Sequence, residues 1–331
     1  MNRLEAFRYI ENLTQEQLAE YIEVSPQLVS AIERGLRTFN GDLSKIGYRN
    51  ERLILPEMSE PLHRIRASTS VTFRKKAKEL IRLGGEVFSE LRPTLKGVNR
   101  FSCERLESPK SLDDVSQLAE EARYLLNIEL YEPIQNLTSS FERAGICLIP
   151  LGNQMGIDGM SSWVNETPVI GISQTIPGDR FRFTLCHELA HLLFHRKKSE
   201  VSEDEANLFA SQLLFPQEYF EMALGDKKTI MLQDFISLKS NWGISIAALI
   251  YRSHQFGYIT DDRYRALQIQ MSKWRRNEPM PIEVMAGQLL SKLIKTNGGY
   301  EKVSSNLGIN KEHLIEISNW NPLRVLKEVK I

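Results

Sequence analysis

Along most of the chain apolar side chains return every three or four residues, the spacing that lays one apolar stripe along a helix. Leu4, Phe7 and Ile10 mark a first helix. Thr14-Gln15-Glu16-Gln17-Leu18-Ala19-Glu20-Tyr21 predicts a second, with Thr14 as N-cap and Gln17 placed to close a capping box. Ser25 and Pro26 open a third, running from Gln27 to about Arg34 and stopping at Gly35. Leu18, Ala19, Ile22, Val24, Val29 and Ile32 then form a small shared core. Further on, Ala77, Leu80, Ile81, Val87, Phe88 and Leu91 suit an amphipathic helix, interrupted or capped near Gly84-Gly85. Leu118, Ala119, Ala122, Leu125 and Leu126 suit another; both read as spacer and packing layer. Gly159 to Val164 and Val169 to Ile172 read as two strands joined by Asn165-Glu166-Thr167-Pro168. That hairpin either offers an edge to an extended peptide or is purely structural. Helices then continue to about residue 256, and 286–318 is helical again. The pattern predicts a mainly α protein with a small β-sheet, an α+β fold.

Composition leaves this picture in place and narrows the classes. Of 331 residues, 42% are hydrophobic and 25% charged, enough apolar material for a sizeable core. No apolar run approaches the ~20 residues of a membrane span, and the first residues carry no apolar signal core. Cys103, Cys147 and Cys186 are too few and scattered for a disulfide framework, so a reducing, cytoplasmic location is expected. The net charge is zero, but it is unevenly spread: residues 1–60 carry 7 Lys/Arg against 10 Asp/Glu, and residues 61–110 carry 12 against 5. Any DNA contact is therefore regional. The basic stretch, with Arg64, Arg66, Arg74, Lys75, Lys76, Lys78 and Arg82, is either a solvated helix face or an arm tracking a DNA backbone.

The sharpest chemical signal is His187-Glu188-Leu189-Ala190-His191. On a helix, positions i and i+4 share a face, so both histidines can aim a nitrogen at one ion. Glu188 beside them can take a proton from an attacking water. His195 extends the row but reads as a supporting or surface residue, since one straight helix rarely offers three consecutive turns to one ion. A catalytic zinc wants a third protein ligand. Glu203 lies on the face of the next helix that carries Ala206, Phe209, Ala210, Leu213 and Leu214, where a lone carboxylate is costly unless paired or metal-bound. Glu205, on the flank, is the second choice, and an ordinary first-turn carboxylate is the bland alternative for Glu203. Asn207 can support a ligand by hydrogen bonding. Cys186 reads as a core residue.

Two resemblances follow. Thr14-Gln15-x-x-Leu18-Ala19, Val24-Ser25 and Ile32-Glu33-Arg34-Gly35 resemble the phage-repressor-type (XRE) helix-turn-helix. That likeness implies a second helix laid in the major groove, with Gln27, Ser30 and Arg34 facing bases and Arg37 near the backbone. Glu23 stands where a turn glycine is usual, and Leu28 where a polar base-reading side chain is common. His187 to His191, then Glu203-x-Glu205-Ala206-Asn207-x-Phe209-Ala210-x-x-Leu213-Leu214-x-Pro216, resembles the ImmA/IrrE family of zinc metallopeptidases. Phe141 to Ile146, Ile157 to Ser161, Pro168 to Ile170 and Trp274 to Pro279 extend that likeness. It implies a zincin-type fold of the gluzincin kind with Zn2+ held by His187, His191 and Glu203.

The expected organisation is a helix-turn-helix over 1–60, a basic helical linker over 61–110, a zinc metallopeptidase domain over 111–260 and a C-terminal helical region over 261–331. Two further stretches have a faint helix-turn-helix look: Asn241 to Ser245 with Ala248 and Arg252, and Leu307-Gly308-Ile309-Asn310. Both read as simple helix-turn packing. By resemblance, the chain is a transcription regulator that is also a metalloendopeptidase. It would bind DNA through its N-terminal domain and cleave a repressor-type protein on a stress or mobile-element signal. The competing readings are a non-enzymatic regulator using the zinc-bound fold as scaffold or sensor, and a toxin–antitoxin or phage-defence component. A homodimer and no membrane partner are expected.

Overall fold

The computed structural model describes residues 2–61, 70–94, 107–152, 156–195, 200–225, 227–274 and 277–321. In chain order they form α1 (Arg3–Ile10), α2 (Gln15–Tyr21), α3 (Pro26–Glu33), α4 (Val71–Leu91), α5 (Leu112–Leu125) and α6 (Leu137–Arg143). Three strands follow, β1 (Cys147–Leu151), β2 (Gly159–Val164) and β3 (Thr167–Ser173). Then come α7 (Gly178–Leu193), α8 (Glu200–Leu214), α9 (Gln217–Leu224), α10 (Leu232–Trp242), α11 (Ile246–Gln255) and α12 (Asp261–Met271). The series closes with α13 (Leu289–Thr296), α14 (Gly299–Leu307) and α15 (Lys311–Ser318). The class is the α+β fold expected. Among the described residues no helix is long and apolar enough to cross a membrane.

The chain divides into two compact units, each discontinuous in sequence. The first comprises Met1–Ser102, Gly145–Gln174 and Ala286–Asn321; the second comprises Cys103–Ala144 and Thr175–Met285. These units do not follow consecutive domain boundaries, because buried pairings tie segments far apart in the chain.

In the first unit the helix-turn-helix forms as its caps dictate. Thr14 and Gln17 close a reciprocal capping box, and Ser25 Oγ accepts from the Leu28 N–H with Pro26 at the first helical position. Leu18, Val29 and Ile32 are buried beneath. Helix α4 packs against all three strands. It runs unbroken through Gly84 and Gly85, contrary to the expected interruption. A Cβ on Gly84 would stand 2.7 Å from Ile149 Cγ2, and one on Gly85 2.5 Å from Val164 Cβ. The pair is therefore a close-approach site where helix meets sheet, and packing overrides the glycine propensity.

The strand order is β1-β3-β2, with β1 parallel and β2 antiparallel to β3. Strand β1 is an apolar run containing Pro150, which suits an edge strand; sequence periodicity did not single it out. The hairpin loop is shorter than expected. Pro168 lies inside β3, paired with Trp163, one residue before β1 joins the ladder at Val169. At that strand end a missing N–H is tolerated. The turn needs only Asn165 and Glu166, with Asn165 in the left-handed region at φ 50°.

Along α4 several cations of the basic stretch have partners within the unit. Lys75 Nζ reaches Tyr9 Oη at 2.6 Å, and Lys76 Nζ reaches the Ile10 carbonyl at 2.7 Å and Glu316 at 2.8 Å. Lys78 pairs with Glu60 at 3.3 Å, and Arg82 donates to the Pro56 carbonyl at 3.0 Å. These cations fasten α4 to α1, α15 and the 56–60 segment. Arg64 and Arg66 lie outside the described residues, as do Cys103, Arg275 and Arg276.

In the second unit α7 packs on α8 and α8 on α5. Arg123 of α5 is 1% exposed and donates to the carbonyls of Glu129, Glu132 and Leu213, pinning the α5 end to α8. The faint motif at Gly243-Ile244-Ser245 is a packing turn here. Its second helix, α11, turns Arg252 inward to the Phe215 carbonyl at 2.5 Å and Gln212 Oε1 at 2.7 Å.

Candidate functional site

Helix α7 buries almost every side chain, which fixes the rings of His187 and His191 one turn apart. Their Nε2 atoms lie 3.1 Å from each other and their ring centroids 4.8 Å apart, nearly edge to face. From the first turns of α8, Glu203 brings Oε2 to 3.6 Å from His187 Nε2 and Oε1 to 3.7 Å from His191 Nε2. Its side chain is 22% exposed against 4% and 1% for the histidines. Among the described residues these three form the one cluster with metal-ligand spacing, all donor atoms within 4.8 Å.

The outer hydrogen bonds decide what this cluster can hold. His195 Nε2 lies 2.9 Å from Glu205 Oε2, so its N–H donates to that carboxylate and leaves Nδ1 bare. Burial holds His195 below the usual histidine range, consistent with a neutral ring. His191 Nδ1, 2.7 Å from His195 Nδ1, must then donate its proton there, which leaves its own Nε2 as a lone pair. His187 Nδ1 donates to Asn207 Oδ1 at 3.1 Å and likewise bares its Nε2. The two Nε2 atoms and the Glu203 carboxylate thus face one point. Ligand atoms at about 2.0–2.2 Å in a tetrahedron stand about 3.4 Å apart, and the observed 3.1, 3.6 and 3.7 Å bracket that figure. The donor set fits a divalent cation of zinc size.

Glu188, next to His187, is 1% exposed. Glu205, the alternative third ligand, is instead the anchor of His195. That three-residue chain was missed because sequence spacing cannot show that a residue on α8 meets the histidine just past the end of α7. Cys186 is fully buried and its thiol is pushed up to about 12, which makes it the inert core residue expected.

In the first unit the expected base-facing residues lie on and just after α3. Gln27, Arg34 and Arg37 are exposed and Ser30 half-buried; Arg34 Nε donates to the Ser30 carbonyl at 3.2 Å. Leu28 does not stand out as a base reader but lines a depression with Val24, Ile32 and Phe39. Glu33 binds the three helices together, bonding Arg8 at 2.6 and 2.8 Å and Gln15 at 2.7 Å. The hairpin edge is not open along its tip. Ser59 N donates to the Trp163 carbonyl and Asn165 N to the Glu57 carbonyl, both at 2.9 Å, so residues 57–59 already pair with that part of β2.

The fold and donor set define a class: a helix-turn-helix joined to a metallopeptidase-like domain. Residues 141–254 match the peptidase-family model described as the IrrE N-terminal-like domain, and residues 8–45 match a helix-turn-helix family model. No curated protein matches the chain. The chain therefore joins a helix-turn-helix DNA-binding domain to an IrrE-like peptidase domain, the architecture its motifs resemble.

Proposed function

We propose that the chain is a DNA-binding regulator carrying an active zinc-dependent endopeptidase. The observation behind this reading is the convergence of the His187 and His191 Nε2 atoms and the Glu203 carboxylate, all within metal-ligand spacing of one another. His187, His191 and Glu203 would hold the ion, three protein donors being the number a catalytic zinc takes. A bound zinc ion supplies Lewis-acid polarisation of a peptide carbonyl and acidifies a water molecule. Glu188 accepts a proton from the attacking water and returns it to the departing amine nitrogen. Asn207 and His195 hold the two rings in the required tautomer. Gln27, Ser30, Arg34 and Arg37 on and after α3 bring the chain to DNA or to a DNA-bound partner. The substrate class is protein, and the resemblance points to a repressor-type regulator.

The test compares new protein N-termini in host cells expressing the wild type or Glu188→Gln, with zinc content measured in both purified proteins. A new N-terminus confined to the wild type, with zinc in both, supports the peptidase and names its substrate. Identical N-termini with zinc in both favour a non-enzymatic regulator built on the same fold.

A further inference from the structure

The C-terminal helices repeat the N-terminal motif position by position. At one constant offset, Leu18 corresponds to Val303, Val29 to Leu314 and Ile32 to Ile317, all buried. Glu23 corresponds to Gly308, and both adopt left-handed backbone, at φ 57° and 64°. Val24 N closes the first turn on the Ala19 carbonyl at 2.9 Å; Ile309 N closes the second on the Ser304 carbonyl at 3.2 Å. Ser25 caps α3 by accepting from the Leu28 N–H, and Asn310 caps α15 by accepting from the His313 N–H. Helix, left-handed residue, apolar residue, polar cap and helix recur with the same hydrogen bonds, so α14 and α15 form a helix-turn-helix in their own right.

The second copy differs where the first would read DNA. The position of Gln27 is held by Glu312, that of Ser30 by Ile315 and that of Arg34 by Asn319. Glu316, one turn beyond Glu312, is paired with Lys76 of α4. The exposed Glu312 carboxylate disfavours a phosphate at that position. Whereas α3 buries Val29 and Ile32, α15 buries His313 and Ser318 as well. His313 is 1% exposed and spans to the first motif: Nδ1 lies 2.7 Å from Tyr48 Oη, and Nε2 lies 2.7 Å from Glu11 Oε1. Beside it, Asn310 Nδ2 donates to the Ile46 carbonyl at 2.9 Å, and Arg49 N donates to the Gly308 carbonyl at 3.0 Å.

We propose that residues 299–318 are a second helix-turn-helix that has given up DNA reading and serves as a built-in partner of the first. It covers, within the same chain, the end of α1 and the 46–52 segment, and leaves α3 as the single reading helix. Each chain then engages one asymmetric half-site, in place of the homodimer on paired half-sites expected from the sequence. The inference rests on the DNA-reading role of α3, and the test separates the two.

Two measurements on the full-length chain decide it. Hydrogen exchange is read in Glu11→Ala and His313→Ala. Because each residue bonds across the contact, Glu11→Ala should speed exchange in α15, and His313→Ala in α1 and residues 43–52, each by about tenfold. Exchange that rises only in the mutated element overturns the partnership. Selection from a random-sequence duplex library, followed by affinity measurement on the selected duplex, reads the DNA side. One asymmetric motif, at least fivefold weaker binding by Gln27→Ala/Arg34→Ala and unchanged binding by Glu312→Ala/Asn319→Ala support the proposal. A symmetric site with two chains bound, or equal losses from the two double variants, overturns it. Absence of any wild-type binding overturns the α3 reading, while the exchange result still decides the contact.

Discussion

Glu205 orients His191 without touching it. Its carboxylate accepts from His195 Nε2, His195 Nδ1 accepts from His191 Nδ1, and the Nε2 of His191 is left bare toward His187 and Glu203. Outer partners of this kind are typically worth roughly 10–100-fold in metal affinity. Glu205→Ala and His195→Phe are each expected to weaken zinc binding by a factor in that range, measured by competition with a chromogenic chelator. Affinity equal to wild type in both variants would mean that the tautomer of His191 is set elsewhere.

Asn207 performs the same task for His187 at 3.1 Å. Asn207→Leu removes the acceptor and is expected to lower zinc affinity about tenfold. The double variant with His195→Phe should lose close to the product of the two single effects, because the two hydrogen bonds act on different rings. A double variant no weaker than either single one would argue against independent orientation.

Gly85→Ala tests whether packing or propensity governs α4. Helix propensity alone favours alanine by about 1 kcal/mol. The added Cβ would stand 2.5 Å from Val164 Cβ. Overpacking of that kind costs about 1–3 kcal/mol, so a net loss of stability is expected in denaturant unfolding, relieved in part by Val164→Ala in the same chain.

Glu23 occupies the left-handed turn between α2 and α3 at φ 57°. Its carboxylate meets Lys45 at 2.7 Å on the surface, a contact of small worth. Glu23→Gly relieves the backbone and is expected to raise the unfolding midpoint by about 2 °C, read by thermal scanning. A lower midpoint would place more weight on the Lys45 pair than an exposed ion pair normally carries.

The hydrogen bond from His313 holds the Glu11 carboxylate below its ordinary value of 4.5. A depressed folded value stabilises the fold above the ordinary value, and that contribution is lost as pH falls through the depressed one. Urea midpoints measured from about pH 3 to pH 6 should therefore show wild type and Glu11→Gln converging at the acid end and separating above about pH 4.5. Parallel curves across the range would remove Glu11 from the contact with α15.

Local chemistry made much of this legible. Caps at Thr14 and Ser25, the His187/His191 spacing and the apolar stripe around Glu203 each depend on neighbours within a few residues, so the chain itself displays them. What stayed hidden depends on distant pairings. Gly84 and Gly85 look like helix breakers until Ile149 and Val164 press against them. Lys75, Lys76 and Lys78 look like a nucleic-acid arm until Tyr9, the Ile10 carbonyl and Glu60 take up their donors. Glu205 looks like a spare ligand until His195 reaches it. The repeat at Gly308-Ile309-Asn310 was visible as a faint motif, but its use as a partner depends on Glu11 and Tyr48, hundreds of positions away.

Arg52 donates to the Leu307 carbonyl across 255 positions of sequence. A ribosome adding about 5–20 residues per second delivers that carbonyl on the order of ten to fifty seconds after Arg52. For that interval the nascent N-terminal helices have no C-terminal helices to cover Phe7, Ile46 and Tyr48. The chain is thus born with a timed exposure built into its order of synthesis, and completion of the helix-turn-helix unit waits for α14 and α15.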